Sequence, residues 1–319
     1  MKPELFGADL ARKPEVLRAL AASLRESDPW AGSAIEPQSH IVLLGMGSSH
    51  YASSVAAARL RSRGVDAVAE LASSDLLPAV RRGTVIVAVS ASGGSVETLD
   101  AVARYEGRCP IVAVTNVDAS DVTHAARHVV AMLAEPELSG VSCRSFQHTL
   151  ALLLALESRL VGERDVARLV DEAATASADL LDSRDAWLPR LIDLAIGPMG
   201  TYVVAPARRF CSAQQGALMI RETPRLTATG CETGDWSHVD VYLTKTTDYR
   251  LVLFAGSRWE PALRRWVAER GATLITVGGD ADGAALSVRY AGDDDDDVRL
   301  LAEVLVAELL ADAVATGSR

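Results

Sequence analysis

The first third of the sequence contains an apolar run that ends abruptly at a group of small polar residues. Residues 85–89 (VIVAV) are apolar and mostly β-branched, and residues 90–95 read SASGGS. Beyond them, apolar side chains recur at helical spacing at Val96, Leu99, Val102 and Ala103. A buried strand, a turn rich in serine and glycine, and a helix are therefore predicted in that order.

The same order recurs along the whole chain. Apolar runs predict strands at residues 40–44, 65–71, 85–89, 110–115, 129–133, 200–205, 250–255, 272–277 and 285–290. Helical spacing of apolar residues predicts helices at residues 1–30, 51–63, 75–82, 96–105, 145–161, 162–195, 212–222, 259–270 and 298–315. The segment 223–238, rich in Thr, Gly and Glu, is predicted to be a loop.

Repetition of a strand followed by a helix predicts an α/β protein in which parallel sheets carry helices on both faces. The repetition is interrupted by a long helical segment and then begins again, so we expect two αβα lobes. The expected divisions are an N-terminal helical arm at residues 1–39, a first lobe at 40–165, a linking helix at 166–195 and a second lobe at 196–319.

Composition narrows the class of protein. The length of 319 residues suits two domains of ordinary size, and the formal net charge of −10 argues against a nucleic-acid partner. The four cysteines form no CxxC pair and indicate reduced thiols. No segment is long and apolar enough to span a bilayer or to act as a signal peptide, so we expect a cytoplasmic protein that contacts no membrane.

Two turns of similar composition, residues 45–49 and 90–95, follow predicted strands. Glycine lets the backbone close around a ligand, hydroxyls donate to phosphate oxygens, and a helix N-terminus favours negative charge. The turns would converge if their strands are neighbours, because ligands bind outside the carboxyl ends of parallel strands. A site for the phosphate of a small metabolite is therefore expected. The alternative is an ordinary strand-to-helix turn in which Ser95 is an N-cap.

These turns resemble those of the SIS (sugar isomerase) family, in particular the isomerase half of glucosamine-6-phosphate synthases and the stand-alone sugar-phosphate isomerases, deaminases and deglycases. The family signature Ser-x-Ser-Gly-x-Thr/Ser matches residues 90–95 without a gap, and its Gly-Thr/Ser-Ser turn matches residues 47–49. The resemblance covers nearly the whole chain and implies two SIS-type lobes. It implies phosphate binding by Ser48, Ser49, Ser90, Ser92 and Ser95.

A third segment, AEPELSGVSCRSF, resembles a family segment in which Glu is followed by Ser and then by Lys-x-Phe. Arg144 and Phe146 stand at the Lys-x-Phe positions, and the exchange of Lys for Arg keeps the charge. The resemblance adds three weaker substrate-binding residues, Gly47, Glu137 and Ser142.

In the second half, the family places a catalytic glutamate at the end of a helix and a histidine sixteen residues later, a spacing that Glu222 and His238 reproduce. A carboxylate can move a proton between two sugar carbons, and an imidazole can open the sugar ring near neutral pH. The resemblance therefore implies that both are catalytic. The alternatives are a surface ion pair for Glu222, with Arg221 or Arg225, and an ordinary loop position for His238.

The resemblance implies a sugar-phosphate aldose–ketose isomerase or an amino-sugar-phosphate deaminase or deglycase that needs no cofactor or metal. It also implies a homodimer in which the histidine reaches the site of the neighbouring subunit. Met219, Ala91 and Gly94 replace the Lys, Gln and Glu of the synthases. The chain ends at Arg319 without the synthase's lysine-bearing tail and has no glutamine-hydrolysing domain, so no synthesis from glutamine is expected. A catalytically silent sugar-phosphate sensor and a helper subunit of a larger complex remain alternatives.

Two further clusters favour structural roles. His124 and His128 stand four residues apart but have no evident third metal ligand, so a solvated helix face is expected. The acidic residues 293–297 precede a predicted helix and lack EF-hand spacing, so they are expected to cap that helix.

Overall fold

Two parallel sheets of five strands each form the framework of the computed structural model, which describes residues 2–162 and 164–317. The strands are β1 (His40–Gly45), β2 (Ala67–Leu71), β3 (Thr84–Val89), β4 (Ile111–Thr115), β5 (His128–Ala131), β6 (Thr201–Ala205), β7 (Ala228–Glu232), β8 (Arg250–Phe254), β9 (Thr273–Val277) and β10 (Leu286–Val288).

Helices connect these strands and flank the sheets. They are α1 (Phe6–Ala11), α2 (Lys13–Glu26), α3 (Gly47–Ser62), α4 (Val96–Ala103), α5 (Asp121–His124), α6 (Arg144–Val161), α7 (Val166–Ala195), α8 (Phe210–Glu222), α9 (Thr233–Trp236), α10 (Glu260–Arg270), α11 (Asp296–Ala302) and α12 (Val304–Thr316). The α/β class with parallel sheets between helices is confirmed.

The chain divides into two units, each built around one sheet. The first unit comprises Val16–Glu137 and Arg144–Val170, and its strands are ordered β2-β1-β3-β4-β5. Strands β1, β3 and β4 are buried along their whole length, as expected for continuous apolar runs covered on both faces. On one face, Val102 of α4 packs in a cluster with Val42 and Ile86 of the sheet.

The second unit comprises Met1–Glu15, Leu138–Cys143 and Asp171–Arg319, and its strands are ordered β7-β6-β8-β9-β10. Counted from the first strand of each sheet, both units therefore have the order 2-1-3-4-5. This shared order explains why the pattern of strands and helices begins again in the second half of the sequence.

Three sequence predictions of local structure are wrong. Residues 75–82, expected to be a helix, form turns and irregular chain that includes Pro78. Strand β7 lies inside the segment expected to be a loop, where residues ATGCE lack a strand-like apolar pattern. The buried apolar face predicted for α4 is wrong at both ends of the helix, because Val96 is 76% exposed and Ala103 is exposed.

The two structural clusters expected from the sequence have different outcomes. Asp295 caps α11, since its side chain accepts the N–H groups of Asp297 and Val298, and the capping role is confirmed. The expectation of one helix face for His124 and His128 is wrong, because α5 ends at His124 and His128 opens β5. Within residues 2–162 and 164–317, no three His, Cys, Asp or Glu side chains converge as a metal site would require.

The described part of the chain contains no helix with the length and apolarity needed to cross a lipid bilayer. The four cysteines form no disulfide bond.

Candidate functional site

The order of strands in the first sheet reverses between β1 and β3. From β1 the chain passes to β2 on one side, and it later returns to β3 on the other side of β1. Right-handed crossovers then place α3 and α4 on opposite faces, which leaves a crevice at the carboxyl ends of β1 and β3. Residues 47–49 and 90–95 lie at those two ends. The condition for their convergence, that their strands are neighbours, is confirmed.

The β1–α3 turn brings the start of a long helix directly to the strand. A Cβ atom at Gly45 would lie 2.9 Å from Cβ of Ser49, so only glycine permits this approach. Gly47 has a φ of +48°, in the left-handed region, and it begins the 16-residue α3. Met46, at the N-cap position, makes no side-chain capping bond. The first N–H groups of a helix lack intrahelical acceptors, and here they lie at the crevice with Ser48 and Ser49.

The β3–α4 turn is held in shape by a second glycine. Gly93 has a φ of +67°, its N–H donates to the Ser90 carbonyl, and its own carbonyl accepts the N–H of Val122. A Cβ atom at position 93 would lie 2.0 Å from Oγ of Ser120. The turn is therefore fixed both by backbone conformation and by the loop that follows β4.

The three signature hydroxyls of this turn differ in their surroundings. Ser90 is buried, Ser92 is exposed and Ser95 is half-buried. Oγ of Ser95 donates to Oε2 of Glu97 at 3.0 Å and makes no hydrogen bond to an N–H group of α4, although it occupies the N-cap position. The N-capping role considered for Ser95 is therefore absent. Its hydroxyl lies at the surface, next to the exposed Val96.

His50 is a neighbour of the crevice that the sequence reasoning did not single out. It lies in the first turn of α3, directly after Ser49, and its Nε2 is 3.3 Å from Oγ of Ser54. Burial lowers the pKa of His50, although the nearby Glu70 opposes that shift, so the imidazole is neutral around pH 7. Its place immediately after the two serines was the signal available in the sequence.

Glu137 has a clear structural task. Its Oε1 accepts the N–H groups of Arg144 at 2.7 Å and Ser145 at 3.0 Å, and its Oε2 accepts the Ser145 hydroxyl at 2.7 Å. Glu137 thus accepts hydrogen bonds from backbone N–H groups in the first turn of α6, which lack acceptors within the helix. Ser142 belongs to the second unit, where its carbonyl accepts a hydrogen bond from Gln215 Nε2 at 2.7 Å.

Glu222 is the last residue of α8, which packs on one face of the second sheet. Gly216 of α8 lies against Val203 of β6, where an added Cβ atom would be 3.4 Å from the valine Cγ1. Residues 223–227 then lead into β7, and the Thr227 carbonyl accepts the N–H of Thr201 at the start of β6. Glu222 is therefore half-buried near the amino edge of this sheet.

His238 lies in a segment anchored to the other face of the same sheet. Trp236 is fully buried, and its Nε1 donates to the Tyr249 hydroxyl at 2.8 Å. The Tyr249 ring stacks on Tyr202 of β6 with centroids 3.9 Å apart. Because side chains alternate along a strand, Tyr202 and Val203 point to opposite faces. His238 itself is exposed.

A second contact fixes the segment beyond His238. The Cys231 thiol of β7 donates to Oδ2 of Asp240 at 3.0 Å. Burial, together with this hydrogen bond, raises the pKa of the Cys231 thiol, and burial raises that of the Tyr249 phenol. Both groups are therefore neutral and act as anchors. These anchors were missed in the sequence, because their partners become neighbours only in the folded chain.

The second sheet consequently stands between Glu222 and His238 within one chain. Glu222 ends the helix on one face, and His238 follows Trp236, which is packed against the other face. The structure does not bring these two predicted catalytic residues together in a single subunit.

The β3–α4 turn gives a test of the crevice geometry. We expect Gly93→Ala to lower the free energy of unfolding by about 3 kcal/mol or more, because it combines a left-handed backbone with a steric overlap. Gly94→Ala is the matched control, since a Cβ atom there meets no heavy atom within 4 Å. Urea unfolding of both variants measures the difference, and equal stability would contradict the described turn.

The matched family model lies in the first half of the chain. The family model of the SIS domain matches residues 34–159, which include both serine turns. The glutamine–fructose-6-phosphate aminotransferase (isomerizing) of Sulfolobus acidocaldarius is 26% identical over 204 residues, which cover 64% of this chain and 34% of that protein. The corresponding enzyme of Methanosarcina acetivorans is 26% identical over 218 residues, 64% of this chain and 35% of that protein. The match thus spans about one third of the length of these curated relatives.

Solved structures show the same fold over nearly the whole chain. The C-terminal domain of glucosamine-fructose-6-phosphate aminotransferase from Francisella tularensis has a TM-score of 0.81 at 19% identity, covering 97% of this chain and 94% of that one. Glucosamine-6-phosphate deaminase from Thermotoga maritima has a TM-score of 0.74 at 16% identity, covering 97% and 94%. Tagatose-6-phosphate ketose/aldose isomerase from Escherichia coli has a TM-score of 0.74 at 15% identity, covering 98% and 92%. Residues 34–159, which contain both serine turns, thus match the SIS-domain family.

Proposed function

We propose that the protein binds the phosphate group of a sugar phosphate in the β1/β3 crevice and catalyses proton transfer along the attached carbons. The observation that carries this proposal is the pair of serine and glycine turns at adjacent strand ends, where the strand order reverses. The proteins named above that share the fold act, by their names, on phosphorylated sugars. The reaction is then an aldose–ketose isomerisation or the deamination of an amino-sugar phosphate.

The crevice suits a phosphate because its hydrogen-bond donors are the uncharged hydroxyls of short serine side chains. Ser48 and Ser49 stand at the start of α3, and Ser90, Ser92 and Ser95 precede α4. The positive ends of two helix dipoles meet there, which stabilises a dianion without a basic side chain. Holding the phosphate fixes the other end of the sugar for reaction, so this crevice supplies orientation rather than bond breaking.

Glu222 is proposed as the base that removes a proton from one carbon and returns it to the next. Its carboxylate ends α8, where a negative charge is unfavourable to the helix dipole, so helix stabilisation does not explain a glutamate at this position. Met219 stands in the last turn of the same helix and offers no amine. If the reaction is a deamination, water adds to the carbon that bears the nitrogen, its oxygen becomes the carbonyl oxygen, and the nitrogen leaves as ammonia.

His238 is proposed to open the sugar ring in the site of a second copy of the chain. The second sheet separates it from Glu222 of its own subunit, as described above. Exposed apolar side chains follow it in sequence, Val239 at 58%, Tyr242 at 62% and Leu243 at 38%. Such a patch marks a protein interface. We therefore propose a homodimer with composite sites, working in the cytoplasm, where thiols such as these four cysteines stay reduced.

We expect Glu222→Gln to lower kcat by about 100- to 10,000-fold, the usual contribution of a general base, while leaving the affinity for sugar phosphates within about twofold. Steady-state kinetics and calorimetric titration measure the two effects. Glu269→Gln, which neutralises an exposed glutamate of α10, is the matched control. Unchanged kcat in the Glu222 variant would remove the assigned role. Sugar-phosphate binding without any turnover in the unaltered protein would instead favour a silent sensor.

We expect the double substitution Ser92→Ala and Ser95→Ala to weaken the binding of sugar phosphates by about 100-fold or more, because it removes two hydrogen bonds to a charged group and each contributes about 1.5–3 kcal/mol. Ser62→Ala, at the far end of α3, is the control.

The binding measurement is a thermal-shift series with aldose, ketose and amino-sugar 6-phosphates and with the corresponding free sugars, because a ligand of the folded state raises Tm. Release of ammonia from a stabilising amino-sugar phosphate would identify a deaminase. Equal shifts with free and phosphorylated sugars would contradict a phosphate site.

A further inference from the structure

A groove of about 670 Å³ lies in the second unit between α1, α7 and α12, and none of its lining residues belongs to the candidate site. Its volume is within the range of pockets that hold small molecules. The residues that line it include Gly7, Arg184, Leu188, Pro189, Leu309 and Asp312.

The walls of the groove are largely aliphatic. Leu188 and Ile192 of α7 face it from one side, and Leu309 of α12 lines it from another. Leu309 is 4% exposed, so its position is fixed by packing. These walls suit an aliphatic body of a few carbon atoms.

Asp312 provides one polar end of the groove. Its carboxylate lies against Gly7, where an added Cβ atom would be 2.7 Å from Oδ2, and it accepts the backbone N–H of Gly7. Its Oδ1 is buried and has no hydrogen-bond donor. Burial raises the pKa of the Asp312 carboxyl, while the Gly7 N–H and the charge of Arg184 oppose that shift. A buried acceptor without a donor is costly, so a ligand or a water that donates to it stabilises the site.

Helix α7 contributes a second acceptor and a cation. Pro189 lies inside α7 and has no N–H, so the carbonyl of Asp185, four residues earlier, lacks its usual helical donor. Arg184, in the same turn, has a side chain that is 47% exposed. Its guanidinium presents donors that fit a carboxylate.

We propose that this groove binds a small zwitterion with an aliphatic body, of the chemical class of free aliphatic α-amino acids. The ammonium group donates to Asp312 and to the Asp185 carbonyl. The carboxylate accepts from Arg184, and the aliphatic chain lies along Leu188 and Leu309. This proposal is independent of the proposed sugar-phosphate activity.

Calorimetric titration of the full chain with three related probes tests the proposal. L-leucine carries both charged groups, 3-methylbutylamine lacks the carboxylate, and 4-methylpentanoate lacks the ammonium. We expect L-leucine to bind and each of the other two to bind at least about tenfold more weakly, the cost of losing one charge-assisted pair. No binding of L-leucine at millimolar concentration would overturn the proposal.

Three substitutions locate the site. We expect Asp312→Asn and Arg184→Gln each to weaken L-leucine binding by about tenfold or more. Arg184 is half-exposed, so its variant stays informative if the Asp312 variant fails to fold. Arg190→Gln is the matched control, because Arg190 is another exposed arginine of α7 and does not line the groove. Equal loss in the control, or unchanged binding in the Arg184 variant, would contradict the assignment. The proposal would also be contradicted if no probe binds and Arg184→Gln causes a dimer to dissociate. The groove would then be an interface between copies of the chain.

Discussion

The candidate site depends on one constraint, the reversal of strand order between β1 and β3, which right-handed crossovers convert into a crevice between two helix N-termini. The second sheet has the same reversal between β6 and β8, but different side chains lie at the carboxyl ends of those strands. Arg209 is fully buried beyond β6 and pairs with Glu303 and Asp296, and it also donates to the Ala255 carbonyl beyond β8. The reversal of strand order thus places serine hydroxyls and two helix N-termini at the strand ends in the first unit, and buried ion pairs at the corresponding strand ends in the second.

Much of the fold was readable in the sequence, because buried parallel strands are continuous apolar runs and their turns carry glycine and serine. Residues 85–105 predict a strand, a turn and a helix, and all three are present. Strand β7 could not be read this way, since ATGCE is held by its ladder to β6 rather than by its own pattern. The helix expected at residues 75–82 fails because its apolar spacing is interrupted by Pro78. The anchoring of Trp236 by Tyr249 joins residues from different elements, and no local pattern reports it.

The relation between Glu222 and His238 in the fold bears most directly on the proposed chemistry. The chain between them enters the sheet as β7 and leaves it on the face opposite α8. Under the proposed function, a site that uses both residues takes them from two copies of the chain. The neutral anchors at Cys231 and Tyr249 hold the histidine segment in place, and the apolar side chains that follow His238 are exposed.

The most direct test of this account is activity in mixed dimers of two inactive variants, Glu222→Gln and His238→Asn, co-expressed with different affinity tags. If each site uses Glu222 of one subunit and His238 of the other, a mixed dimer contains one intact site and one site that lacks both groups. Purified mixed dimers should then recover about half of the activity of the unaltered dimer, since one of the two sites per dimer is intact. Mixed dimers that form but remain as inactive as either parent would contradict the account.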